Sequence, residues 1–159
     1  MLNKKSQRED PFQEAKNYCF LLLKFRLRSE DEIRRRLKKK RFNSTVIEKT
    51  LAFLRVRGFL DDRQFARSWL ESRLKNKFGL RRIKQELLLK GIDKKIIDEQ
   101  IEEIREGYSE EDLVAGLAQK RLNQLKDLDP QKAKRRLYSY LIRRGFSPER
   151  VLDVLNRLI

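Results

Sequence analysis

A chain of 159 residues with 40 Lys and Arg against 24 Asp and Glu, no histidine and one cysteine excludes several function classes at once. Histidine-based acid–base catalysis, the common zinc ligand sets, a histidine pH switch and an intrachain disulfide are all out of reach. A net charge of +16 and a pI near 10.2 point instead to a polyanionic partner, nucleic acid or a nucleoprotein; 40% charged residues with three prolines and six glycines favour charged amphipathic helices.

Residues 1–11 are polar, lack the apolar core of a signal peptide, and read as a flexible tail. Helical periodicity starts at Phe12. The first helix turns Tyr18, Cys19, Leu22 and Leu23 inward, with Cys19 as a small buried hydrophobe. The apolar run 18–23 is too short to span a bilayer, so a soluble cytoplasmic protein is expected. Ser29 starts the next helix, and Glu32 completes a capping box. Ile33 and Leu37 form its apolar stripe, and Phe42 closes it. Asn43 then caps a third helix carrying Ile47, Leu51 and Leu54.

The pattern then repeats. After Gly58, Asp61 and Gln64 have capping-box spacing and precede Phe65, Ala66, Trp69 and Leu70. A middle helix starts near Gly79 with Ile83 and Leu87, and Gly91-Ile92-Asp93 leads into a helix with Ile97, Ile101 and Ile104. Ser109 caps the seventh helix, with Leu113, Val114, Leu117 and Ala118 inward. Asp129-Pro130 opens a middle helix about one turn longer, with Leu137 and Leu141; Gly145-Phe146-Ser147-Pro148 then leads to Val151, Leu155 and Leu158. Matched anchors lie 50 and then 54 residues apart. An all-α fold is expected: three tandem three-helix repeats, helix-turn-helix-like, over 12–59, 60–106 and 107–159, stacked as an elongated, curved array. Arg41 stands where the later copies have glycine and is the weak joint.

The stretches LRSEDEIRRRLKKKRF, RGFLDDRQFARSWLESRL, FGLRRIKQELLLKGI and LYSYLIRRGFSPERVLDVL together resemble the RecX family of recombinase regulators, over nearly the whole chain beyond residue 12. The resemblance implies binding to RecA protein and its filament on single-stranded DNA. It also implies inhibition of that filament's ATPase, strand-exchange and co-protease activities in recombination, DNA repair and the SOS response. Arg41-Phe42 departs from the family pattern, which prefers glycine before the apolar residue.

No catalytic or metal constellation stands out, and no cofactor is expected. The glycines cannot build a phosphate loop, and the serines look like caps. Trp69 and the phenylalanines, at helical spacing, read as core rather than as stacking platforms. Asp61 and Asp62 read as a helix start, Asp61 as the cap and Asp62 as first-turn charge; a contact to a basic patch on the partner is the alternative.

The net charges of the three repeats are +9, +2 and +4. The densest block runs 34–41, with Arg34, Arg35, Lys38, Lys39 and Lys40 around Leu37 and no acid interleaved, which leaves repulsion uncompensated and an anion welcome. Arg26, Arg73 and Arg121 repeat beside matched leucines, and Lys40, Lys90 and Arg144 repeat at middle-helix ends. Arg28, Arg82 and Arg143 complete the candidate partner- or DNA-binding set. Single-stranded DNA is the expected nucleic acid, double-stranded DNA a further candidate; a monomer with no membrane contact is expected. A helix-turn-helix DNA binder acting without RecA is the rival reading, weakened by Asp98, Glu99, Glu102 and Glu103 on the sixth helix. A basic ribosome- or RNA-associated protein fits composition but not motif order.

Overall fold

The computed structural model describes residues 8–159, and among them every regular element is helical. Nine α-helices follow in order: α1 Pro11–Phe25, α2 Glu30–Lys39, α3 Ser44–Val56, α4 Asp62–Lys75, α5 Leu80–Leu89, α6 Lys94–Ile104, α7 Glu110–Leu122, α8 Pro130–Arg144 and α9 Pro148–Leu158. Single 3-10 turns occupy 105–107 and 123–125. Of the expected tail over 1–11, residues 1–7 lie outside the described residues, and Pro11 already begins α1.

The apolar stripes face inward as their periodicity requires. Fourteen of the eighteen matched anchors are buried, and Phe42, Ile101, Ile104 and Leu158 are partly so. Each fully buried Leu or Ile contributes about 1.5–3 kcal/mol by leaving water. Caps set the helix starts. Ser29 Oγ accepts from the Glu32 amide at 3.1 Å while the Ser29 amide donates to Glu32 Oε2 at 3.0 Å, a complete capping box. Asn43, Asp93, Ser109 and Asp129 cap α3, α6, α7 and α8 through their side-chain oxygens. Ser147 does otherwise: it occupies the cap position of α9, but its amide and hydroxyl both donate to Glu110, each at 2.9 Å.

The middle helices end alike. Arg41, Gly91 and Gly145 take the same left-handed conformation, with φ of 65, 75 and 96°. The Phe42 amide donates back to the Leu37 carbonyl at 3.2 Å, as the Phe146 amide does to Leu141 at 3.3 Å. The joint at Arg41 is therefore made with glycine geometry but without glycine, at a cost of about 1–2 kcal/mol from its Cβ.

The chain forms two compact units. The first runs to Phe65 and includes Lys90–Ile92; the second comprises Ala66–Leu89 and Asp93–Ile159. In the first, Ala15, Cys19, Leu22, Ile33, Leu37, Ile47, Leu51, Leu54 and Leu60 form the core. Burial pushes the Cys19 thiol up to about 12, so it stays protonated and inert. Ser29 Oγ also donates to the Lys90 carbonyl at 2.6 Å, which fastens the start of α2 to the 90–92 turn. In the second unit, α7, α8 and α9 enclose Val114, Leu117, Ala118, Leu137, Leu141, Phe146, Val151, Val154 and Leu155. There the Gly79 amide donates to the Arg144 carbonyl at 2.8 Å and the Arg81 amide to the Gly145 carbonyl at 3.2 Å. Free amides at the start of α5 thus meet free carbonyls at the end of α8. Any side chain on Gly79 would strike the Gly145 carbonyl.

Candidate nucleic-acid interface

α2 opens with Glu30, Asp31 and Glu32 and closes with Arg36, Lys38 and Lys39, so its charges follow the helix dipole. The basic block does not carry the uncompensated repulsion its linear sequence suggests. Arg34 reaches Glu30 one turn back at 3.3 Å and Glu48 on α3 at 3.2 Å; Arg35 reaches Asp31 at 2.6 Å. Arg55 of α3 adds a 2.6 Å bond to Glu30. Lys38 and Lys39 are exposed, and Lys40 lies 5.1 Å over the Tyr18 ring.

Arg26 and Lys90 are drawn to one carboxylate. Arg26 donates both Nη atoms to Glu32 at 2.9 and 3.1 Å, and Lys90 Nζ donates at 3.1 Å. Burial by itself would raise the Glu32 carboxyl, but hydrogen bonds from Arg26, the Ser29 amide and Lys90 outweigh it and hold the group at about 2. Arg28 is half-buried beside them, and burial, then the charge of Arg26, lowers it from its ordinary value.

In the second unit Glu86 plays the matching part. It accepts from Arg73 at 2.8 and 3.0 Å, from Arg82 at 3.0 Å and from the Trp69 indole at 3.0 Å. Burial pushes Glu86 up; the bonds from Arg82, Trp69 and Arg73 bring it below its usual range. Arg73, Arg82 and Arg144 all lie over the Phe78 ring, at 5.0, 4.5 and 4.3 Å. Arg144 also donates to the carbonyls of Asn76 and Lys77 at the end of α4. Arg121 makes the equivalent of the Arg73 interaction with an aromatic partner, stacking 5.0 Å over Tyr140, which occupies the Glu86 position of the third repeat. Arg26, Arg73, Arg82, Lys90 and Arg144 thus each hold an intramolecular partner.

Asp61 and Asp62 separate. Asp61 Oδ1 accepts from the Gln64 amide at 3.1 Å and caps α4. Asp62 Oδ1 instead accepts from the Glu30 amide at 2.9 Å, at the start of α2. Burial is the main cause that raises the Asp62 carboxyl, with Glu30, Asp61 and Asp31 adding to it. Adjacent carboxylates therefore serve two different helix starts.

Further open cations lie in the second unit. Arg121, Arg135, Arg136, Arg143, Ser139 and Tyr140 line a cleft of about 340 Å³ in the second unit. A neighbouring cleft of about 530 Å³ is lined by Arg81, Arg82, Gln85, Ile142, Arg143, Gly145 and Phe146, so Arg143 belongs to both. No carboxylate lines either cleft, and among the described residues Arg135, Arg136 and Arg143 have no ion-pair partner. Arg136, Ser139 and Arg143 share one face of α8 at helical spacing. Arg81, Arg135 and Arg136 were not among the residues expected from sequence. The signal was in the repeat register, where Asp31-Glu32 of the first copy is replaced by Arg81-Arg82 and Arg135-Arg136. Repeat-wide net charge hides it, because the acids of the third repeat sit on α7, on α9 and in the segment before α8.

Elsewhere Asp98 of α6 pairs with Lys84 at 2.7 Å, and a third cleft of about 630 Å³ includes Glu103, Tyr108 and Asp112 in its lining. Among the described residues no cluster of His, Cys, Asp and Glu could hold a metal, and no helix is long and apolar enough to cross a membrane.

Three family models match consecutive parts of the chain: the first three-helix domain of RecX over 15–54, the second over 61–100 and the third over 109–155. A regulatory protein RecX of Clostridium acetobutylicum is 35% identical over 94% of this chain and 71% of its own length. One from Amycolatopsis mediterranei is 36% identical over 87% and 79%, and one from Haemophilus influenzae 30% over 90% and 93%. The crystal structure of RecX from Lactobacillus salivarius superposes with a TM-score of 0.79 at 19% identity, covering 95% of this chain and 98% of that one.

Proposed function

Since this chain belongs to the RecX family of regulatory proteins, we propose that it regulates the RecA recombinase by docking on the RecA–single-stranded DNA filament and restraining its ATPase, strand-exchange and co-protease activities. The observation that supports a nucleic-acid contact is the arginine cleft of the second unit, where Arg135, Arg136 and Arg143 converge without a carboxylate. Guanidinium groups remain charged and match phosphate oxygens two at a time. Backbone phosphates of single-stranded DNA are the ligand we assign to it; double-stranded DNA offers the same groups. Selectivity for the filament over bare DNA then rests on contacts with RecA itself. In this reading the protein is a monomer without enzymatic activity, metal or cofactor, its repeats divided at 11/12, 59/60 and 106/107.

The test compares two charge reversals. Arg136→Glu with Arg143→Glu should weaken binding to single-stranded DNA and flatten its salt dependence by about 0.7 for each phosphate no longer neutralised. Lys38→Glu with Lys39→Glu should weaken it less. RecA ATP hydrolysis on single-stranded DNA, titrated with each protein, reads the regulation. Wild-type DNA affinity in the α8 variant would remove the cleft from the interface. Inhibition that follows bare-DNA affinity one for one across both variants would make the protein a competitor for DNA, and the filament reading would be lost.

A further inference from the structure

The first unit carries an aromatic surface that extends outward from its core. Phe12 and Phe20 of α1, Phe53 of α3 and Phe59 after it form a chain of edge-on rings. Centroids lie 6.0 Å apart for Phe12–Phe53, 6.5 Å for Phe20–Phe53 and 5.0 Å for Phe20–Phe59. Phe20 and Phe59 are 37 and 47% exposed, so the sequence expectation that the phenylalanines are core is corrected at these two, while Phe12 and Phe53 are partly buried and Phe53 packs against the core. Three cations cover the rings: Lys16 lies 4.3 Å from Phe12 and 4.8 Å from Phe53, Lys49 4.4 Å from Phe12, and Arg57 5.2 Å from Phe53.

The repeat supplies an internal control. In the third copy Glu111 stands at the Lys16 position and Arg157 at the Phe53 position, and the two make an ordinary 2.6 Å ion pair. The three-helix unit therefore closes without aromatics here. In the first copy the acid has been exchanged for a lysine and its partner for a phenylalanine, which leaves an apolar surface and a positive charge in place of a neutralised pair. Cations over the Phe12 and Phe53 faces block the flat approach that base stacking needs at those two rings, while Phe20 and Phe59 pack edge-on and leave apolar surface exposed to a peptide side chain.

We propose that this face of the first unit is a protein-docking surface for a short acidic segment with one or two large apolar side chains. The apolar groups seat against Phe20 and Phe59, and the carboxylates meet Lys16, Lys49 and Arg57. Charge complementarity selects the segment and the aromatic edges anchor it. The proposal rests on the first unit alone and does not depend on the filament reading.

A random displayed-peptide library selected against the full chain tests it, with the best binders synthesised and their affinities measured. Selected peptides should combine Asp or Glu with Phe, Leu or Trp. Phe20→Ser with Phe59→Ser should weaken them about tenfold or more, and so should the fully surface pair Lys49→Glu with Arg57→Glu, while Arg136→Glu leaves them unchanged. Circular dichroism melting checks that each variant is folded. Peptides without apolar residues, or equal affinity for wild type and both patch variants, would overturn the proposal. So would displacement of the peptide by oligo-dT that is lost in the aromatic variant, which would make the patch a nucleic-acid surface.

Discussion

Replacing Glu32 with Gln probes the node that joins α2 to the 90–92 turn. The change keeps the side chain's length and one oxygen for the Ser29 amide, but removes the charge that faces Arg26 and Lys90. Glu32 and Lys90 are only 15 and 21% exposed, so solvent screens the pair little. A carboxyl moved from 4.5 down to about 2 corresponds to about 3 kcal/mol of stabilisation when fully ionised. Its folded value lies below its unfolded one, so the stabilisation is complete above about pH 4.5 and disappears as pH falls through about 2. Glu32→Gln should therefore cost about 2–3 kcal/mol near pH 7, and the gap to wild type should close in acid. Urea unfolding followed by far-UV circular dichroism across pH gives both quantities. A double-mutant cycle with Lys90→Met should return a coupling on the order of 1 kcal/mol. Asp62 titrates with the opposite sign, since its raised carboxyl relieves strain on protonation; an Asp62→Asn background removes that contribution. Equal urea midpoints for Glu32→Gln and wild type near pH 7, or a gap that persists at about pH 2, would refute this account of the joint.

Asp61→Ala should lower stability by about 0.5–2 kcal/mol through loss of the α4 cap. Asp62→Ala should cost a similar amount through the amide of Glu30 on α2, while Asp62→Asn, which keeps an acceptor and removes repulsion from Glu30 and Asp31, should cost less; thermal melts of the three variants decide it. Arg41→Gly should stabilise the protein by about 0.5–1 kcal/mol, because glycine accepts the 65° φ that arginine is forced to adopt. A lower melting temperature for Arg41→Gly would mean that the arginine side chain contributes more than its backbone costs.

Much of the fold was legible because its rules are local. Apolar spacing of three and four residues defines each stripe, Ser29, Asn43 and Asp129 mark helix starts, and Gly91 and Gly145 mark helix ends. The same rules named Asp61 as a cap, and the repeat register marked Arg41 as the weak joint, where the structure keeps the left-handed ending. Local rules reach only part of the pairing where side chains are long. Arg34 and Arg35 have Glu30 and Asp31 one turn back, pairs the local spacing already offered, whereas Glu48 lies fourteen residues from Arg34 and becomes a neighbour only when α3 folds against α2.

Periodicity and capping, which act within one or two turns, therefore determined the three-helix repeat from sequence alone. Tertiary structure decided which charges are neutralised and which are available. Glu32 meets Lys90, and Asp62 meets the amide of Glu30, only after segments far apart in sequence pack together. Arg121 and Arg135 approach from different helices to share one cleft, while Phe20 and Phe53 meet across α1 and α3. A charged or aromatic side chain is long and flexible, and its partner is set by the register between helices rather than by its neighbours along the chain.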